Sequence, residues 1–487
     1  MTHTLDGEYD AVIVGAGMSG IAAYRALREE GVQSILIIER AAEFGGTWRE
    51  NTYPGCECDV PSPIYSYTDA HNADWSKLYA NQQEIQRYLV DTAEHWGVRD
   101  AVRFGVTFLG AHWDDANGQW KIRTDAGDVT ATLAIGAAGP WSTPSVPDLP
   151  GAADFGGVTF HSARWRHDVD LSGKRVVVIG TGASAVQFVP EIVDAAEHVT
   201  IYQRTPQWVL PKPNYHQPTA FRWLLRRSPA VARIQRAVIY RILELVAFGT
   251  RHSRAMKIAH TIGRWQIKRQ ISDADLREIV TPEYVFGCKR PLFANTWYPT
   301  LDRADVTVRP SGVARLTETG VIGTDGIEVP ADVIIYGTGF HITDMPLAEQ
   351  VFDADGLSLS DHWRGSPKAY LGTTTHGFPN FAILLGPGLG TLASAFTVTE
   401  TQLGLIRSLV RTTRELGAKV FDTRADAEQT YNNDRTDALA TTVYNIGGCT
   451  SYFIDKTGTN SFSWPWSTDT MRRRLRTADP AAYEFTR

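Results

Sequence analysis

Two stretches of this chain share one design, and together they constrain its architecture more than anything else in it. Ala11-Val-Ile-Val14 is a short β-branched apolar run that leads directly into Gly15-Ala-Gly17-Met-Ser19-Gly20 and then into a helical pattern, Ile21–Glu30. Arg175-Val-Val-Val-Ile179 leads in the same way into Gly180-Thr181-Gly182-Ala-Ser184-Ala185. A continuous apolar run of this length reads as a strand buried on both faces of a parallel sheet. In each turn the first glycine allows the tight bend and the second lets the backbone approach a diphosphate. The third position, Gly20 or the acceptable Ala185, lets helix and strand pack closely. The following helix offers free N-terminal amides and the positive end of its dipole. The predicted fold class is α/β, with two Rossmann-like dinucleotide-binding domains.

The two units differ where each second strand ends. Ser34–Ile38 ends in Glu39, 24 residues after Gly15; His198–Tyr202 ends in Gln203-Arg204-Thr205, with Arg204 24 residues after Gly180. A carboxylate at that place accepts hydrogen bonds from a free ribose diol. A guanidinium instead suits a 2′-phosphate, which it can bind through two charge-assisted bonds. The second nucleotide is therefore expected to be NADPH rather than NADH.

The rest of the chain is arranged around these units. Val102–Leu133 reads as an antiparallel excursion with turns at Asn117-Gly118 and Ala126-Gly127. Pro140, Pro144, Pro147 and Pro150 punctuate a semi-rigid linker ending at Gly151. The strand Asp332–Tyr336 runs into Gly337-Thr-Gly339, where the chain could cross back. The expected division is 1–145 with 341–487 as a first domain and 152–215 with 286–340 as a second, with 216–285 a helical insertion in the second. Ile234–Phe248 is amphipathic with interspersed basic residues. Such a segment can lie on a membrane surface, but apolar helical stripes ordinarily face a core, and we read it as a packed cap. Gly386-Pro-Gly-Leu-Gly390 could bring amides to the edge of a flat ring.

Composition excludes several classes. A net charge of −6 and a pI near 6.1 give no basic excess for nucleic acid. No run of about 18 apolar residues marks a membrane-spanning helix, and Met1–Asp10 lacks a signal pattern. Four cysteines are too few for a disulfide framework in a chain this long, so a reducing, cytoplasmic setting is expected. Cys56 and Cys58 are read as packed small residues, not a redox dithiol. No metal-ligand cluster stands out, and nothing sets an oligomeric state.

Two longer motifs remain. Phe155-x-Gly157-x-x-x-His161-x-x-x-Trp165 precedes the second turn, and Gly45-Gly46-Thr47-Trp48 runs on through Tyr53-Pro54-Gly55 to Asp59. With the pair Lys289-Arg290, these make the chain resemble the type I Baeyer–Villiger monooxygenases, within the class B flavoprotein monooxygenases, over roughly residues 8–485. The Cys288–Pro291 run and the Gly448–Tyr452 region resemble the branch acting on aryl ketones such as 4-hydroxyacetophenone. One departure is Arg166, where the family carries Pro or Asp.

The resemblance implies an enzyme that uses FAD, NADPH and O2 to insert one oxygen atom next to a ketone carbonyl, through a flavin C4a-peroxide, giving an ester or lactone. Oxygenation of sulfides or amines, or uncoupled NADPH oxidation, are the alternatives. It implies FAD contacts at Gly15, Gly17, Ser19, Gly20, Glu39, Gly46, Thr47, Trp48, Asp59, Tyr65 and Tyr452. It implies NADPH contacts at Gly180, Thr181, Gly182, Ser184, Arg204, Thr205 and Lys289. Arg290 would be the catalytic cation, held by Asp59, while His161 and Trp165 would belong to a moving linker.

Overall fold

The computed structural model describes residues 5–250, 256–390 and 392–487. The first four residues of the stretch read for a signal thus lie outside the described residues, as do 251–255 of the insertion. Strand Glu8–Val14 sits at the centre of the larger sheet, parallel to Ile35–Glu39 on one side and to Gly127–Gly136 on the other. Ala11 and Ile13 point into the core shared with helix Met18–Glu29, while Val12 points into a second core with Trp113 and Trp120. Burial on both faces is why this strand is apolar at successive positions. Phe108–Asp114, Gln119–Thr124 and Gly127–Gly136 form the expected antiparallel meander. Val102–Phe104 corrects the start of that reading, because it pairs in parallel with Ile35–Glu39 at the sheet edge. Three residues are too few to show their pairing partner in the sequence pattern.

Phe381–Ile383 returns from the C-terminal part of the chain and adds to the same sheet, parallel to Gly127–Gly136. The second sheet is wholly parallel, in the order Val306–Arg309, His198–Tyr202, Arg175–Ile179, Val333–Tyr336, Val158–His161. The stretch around His161 is therefore an edge strand of that sheet as well as a connection to it. The two crossings between the sheets run side by side, tied by Ser145 N–H to the Gly339 carbonyl (2.8 Å) and His341 N–H to the Thr143 carbonyl (3.0 Å).

The insertion forms helices Thr219–Arg227, Pro229–Thr250, Met256–Gln270 and Ala274–Val280. Its long second helix docks on the first-sheet side. Arg236 donates to the Pro63 carbonyl at 2.9 Å and to Ser66 Oγ at 3.1 Å, and Tyr240 donates to Asp469 at 2.8 Å. Among the described residues no helix is long and apolar enough to cross a membrane.

The four cysteines make no framework, but one pair is linked, which the expected reducing setting did not anticipate. Cys288 and Cys449 form a disulfide that joins the Lys289-Arg290 loop to the loop carrying Tyr452. Their separation of 161 residues hid the pairing from sequence spacing. Cys56 and Cys58 are buried free thiols, and burial pushes both up to about 12, which leaves them inert as thiolates.

Candidate active site

The first turn is closed upon itself. Gly15 has φ +110°, and a Cβ there would stand 2.7 Å from the Ala137 carbonyl oxygen. A Cβ on Gly20 would stand 1.9 Å from the Gly15 oxygen, so helix and turn touch backbone to backbone. Gly17 faces Gly46, whose own Cβ would lie 3.1 Å from the Gly17 Cα. The two backbones thus approach so closely that a side chain on either would crowd the other. Glu39 is buried and its carboxylate accepts from the amides of Ala16 (2.8 Å) and Ala41 (2.7 Å). Ser19 shares a hydrogen bond with Thr399 at 3.0 Å, tying the turn to helix Ala395–Glu415. Thr47 opens the short helix Thr47–Glu50 and accepts from the Asn51 side chain. Trp48 donates its indole N–H to the Tyr65 hydroxyl at 3.0 Å.

The second turn is more open. Gly180 has φ +105° and its Cβ would meet the Gly337 oxygen at 2.5 Å, so this turn is also pinned to a neighbouring strand end. Thr181 donates to the Thr205 carbonyl at 3.4 Å. Ser184 faces the Tyr53 hydroxyl from across the two units. Arg204 is exposed at its strand end. Lys289 comes near it: burial pushes the Lys289 ammonium below its ordinary range, and the Arg204 charge pushes it further down. Two cations brought together from positions 85 apart in number (204 and 289) are stabilised by an anion of matching charge.

Between the turns lies a charged cluster built from both units. Lys212, only 5% exposed, pairs with Glu57 at 2.7 Å and Asp59 at 3.5 Å, and donates to the Cys58 carbonyl at 3.1 Å. Burial pushes the Asp59 carboxyl up, against the pull of Lys212 and then Arg290. The direct Asp59–Arg290 contact expected from the sequence is corrected: among the described residues the ion pair of Asp59 is with Lys212, and Arg290 acts on it at longer range. Arg290 lines a cleft with Leu392, Tyr444, Tyr452, Phe453 and Phe462. Phe453 and Phe462 stack at 5.3 Å.

The linker residues are packed. Trp165 lies 5.1 Å from the Phe160 ring and 5.2 Å from that of Phe188, which in turn meets Tyr53. His161 is buried beside Phe340 and accepts from the Ala163 amide at 3.0 Å. Burial pushes its pKa down to about 4, and the Gly339 backbone offsets this only in part. Arg166 points out to pair with Asp168 at 2.6 Å, so the departure from the family pattern is a solvated ion pair. The Gly386–Gly390 loop gives a further correction: the Gly388 and Gly390 amides already donate to the carbonyls of Ser461 and Phe462.

Residues 9–355 match the family described as flavin-binding monooxygenase-like. A Baeyer–Villiger monooxygenase of Streptomyces coelicolor is 41% identical over 98% of this chain and 92% of its own length.

The chain belongs to the Baeyer–Villiger monooxygenase family.

A second such family member, from Pseudomonas aeruginosa, is 38% identical over 97% of this chain and 91% of its own. Among solved structures, cyclohexanone monooxygenase from Rhodococcus sp. Phi1 bound to NADP+ superposes with a TM-score of 0.87 at 26% identity, covering 99% of this chain and 100% of that one. OTEMO in complex with FAD and NADP superposes at 0.88, with 26% identity and coverage of 98% and 99%. As a Baeyer–Villiger monooxygenase this chain uses FAD and NADPH. Its own residues are compatible with both: the first turn, at the head of helix Met18–Glu29, carries no side chain at Gly15 or Gly17, and Arg204 and Lys289 are neighbouring cations. Lys212 is the buried charge of this cluster that sequence reasoning missed. It stands in a Pro211-Lys212-Pro213 run with no motif of its own, and only that proline pairing hinted at a fixed backbone.

Proposed function

We propose that this monooxygenase converts an apolar ketone, aromatic or cyclic, to the ester or lactone, with Arg290 as the catalytic cation. The observation that carries this reading is the position of Arg290 in an aromatic cleft, within electrostatic reach of both Asp59 and Tyr65. When bound, FAD reduced by NADPH supplies the activation of O2. The protein's part is electrostatic. A guanidinium keeps its charge at any working pH, so Arg290 stabilises the negative oxygen that forms as the carbonyl carbon is attacked. Asp59 and Lys212 are positioning residues: they hold an alternating set of charges that orients Arg290. The walls of Tyr444, Tyr452, Phe453 and Phe462 give the ketone an apolar, flat surface and exclude water. Trp48 and Tyr65 lock one another next to Gly46, and Tyr452 contributes from the cleft side.

In this reading 1–145 with 341–487 hold FAD, and 152–215 with 286–340 hold NADPH. Gly180, Thr181, Gly182 and Ser184 cradle the diphosphate; Arg204, Thr205 and Lys289 select the phosphorylated ribose. His161 stays neutral and acts through packing, not proton transfer. In this reading the reaction runs where NADPH is supplied, in the cytoplasm. The test is NADPH consumption with product mass over a panel of acetophenones, cyclic ketones and a thioether. Esters or lactones from ketones are expected. Sulfoxide alone, or hydrogen peroxide in stoichiometric yield with no oxygenated product, rejects the reading.

A further inference from the structure

Three helices of the insertion leave large apolar side chains uncovered, two of them as stripes. Helix Pro229–Thr250 is anchored through one face. Arg236 binds Pro63 and Ser66, Tyr240 binds Asp469, and Glu244 accepts from the Thr468 amide at 3.2 Å. These three residues recur one helical turn apart, so they define the docked side. The other side carries Ile234, Val238, Ile242 and Leu245, which are 63%, 54%, 55% and 72% exposed. Their spacing also places them on one stripe.

Helix Met256–Gln270 repeats the arrangement. Gly263, Gln266 and Ile267 face inward, while Ile258, Ile262 and Trp265 are exposed at positions i, i+4 and i+7. On helix Thr219–Arg227, Trp223 and Leu224 are exposed. A single exposed leucine calls for no explanation, but stripes on two helices, with Trp223 and Leu224 exposed on a third, mark a surface that something covers.

The charge pattern says what covers it. The described residues of these three helices hold ten Lys and Arg and one acid, Glu244, in a chain whose net charge is −6. Arg227 lies 4.7 Å over the ring of Trp223, and Arg269 lies 5.2 Å over that of Trp265. Arg233, Lys257, Arg264 and Lys268 are exposed, and among the described residues none of them is in an ion pair. Tryptophan beside arginine, with exposed aliphatic residues and unpaired cations on the same helices, is the composition of a helix lying in a lipid interface. A second copy of the chain fits less well, since a two-fold contact would set this cationic face against itself.

We propose that this face of the insertion rests on the surface of an anionic phospholipid bilayer, without crossing it.

The test uses the full-length, FAD-loaded enzyme, sedimented with vesicles of phosphatidylglycerol and phosphatidylcholine in equal parts, and with pure phosphatidylcholine vesicles. Partitioning onto the anionic vesicles should exceed that onto neutral ones by about tenfold or more, and should weaken as salt is raised. The double variant Ile242→Glu/Leu245→Glu should lose about tenfold in binding, as should Ile258→Glu on its own helix. Arg233→Glu should lose roughly fivefold per unit charge on anionic vesicles only. These side chains are exposed, so flavin absorbance and NADPH oxidation should be unchanged in all variants. Absence of binding to anionic vesicles overturns the proposal, as does equal binding to both lipids or unchanged binding by the variants. A lipid-free dimer that the double variant splits into monomers assigns the face to a second copy instead.

Discussion

The two glycine turns begin from nearly the same sequence and end in different states of completion. At the first, Glu39 folds back and takes hydrogen bonds from Ala16 and Ala41, within and just beyond its own strand–turn unit, while Ser19 ties the turn to a distant helix. At the second, Arg204 stays exposed and shares its neighbourhood with another cation, Lys289. At one end the charged side chain is satisfied by protein amides; at the other, two cations stand near one another, which on the proposed reading a 2′-phosphate would complete. The contrast suits a cofactor that stays bound and one that exchanges. The residue ending the second strand, not the turn itself, makes the difference between the two ends.

The contrast can be broken where the second unit reaches into the first. Arg290→Ala should lower ester formation by about 10²- to 10³-fold, the usual cost of removing one charge-stabilising group. NADPH-driven bleaching of the flavin should stay within about twofold. Equal loss of both rates in stopped flow would mean that Arg290 serves the nucleotide site rather than oxygen transfer.

Lys212→Met should come next in size. It leaves Glu57 and Asp59 facing one another without their buried cation, at about 3 kcal/mol of stability. Thermal unfolding of the holoenzyme measures it; an unchanged midpoint would remove Lys212 from the cluster that joins the units.

Arg204→Ala should raise KM for NADPH by about tenfold or more and leave both the NADH reaction and the melting point alone. An equal effect on NADH would show that the guanidinium does not read the 2′-phosphate. The paired change Glu39→Ala should instead lower FAD retention and stability together, since two backbone amides lose their acceptor.

The smallest effect concerns His161. Its pKa in the fold is about 4 against an ordinary 6.5, so the unfolded chain binds a proton that the folded chain refuses. Stability is complete above about pH 6.5 and falls as pH drops towards 4, by about 2 kcal/mol after allowing for partial solvent access. His161→Asn should flatten the melting curve against pH in that window. A wild-type profile already flat there would contradict the burial of a neutral imidazole.

Much of this was legible in the chain. Val12 and Ile13 announce a doubly buried strand because neither face of it meets water, and Gly15 and Gly180 announce tight turns because their φ values are costly for other residues. Val102–Phe104 was not legible, since three residues carry no period that distinguishes parallel from antiparallel pairing. Neither was the Cys288–Cys449 bridge, whose partners meet only once two distant loops are placed. Asp59 was singled out correctly as a charged position, but its partner was misread, because spacing names candidates and cannot rank two cations that arrive from the other unit.

By itself the sequence determined the two sheets, their glycine turns, the choice of a phosphorylated nicotinamide and the family signature around Trp165. These are local properties: a period, a φ value, a charge at a fixed offset. Only the tertiary structure decided that Lys212 takes Asp59, that Arg290 looks into an aromatic cleft, and that one side of the insertion stays bare. Those outcomes depend on which surfaces meet after more than a hundred intervening residues are folded, and no local pattern carries that information.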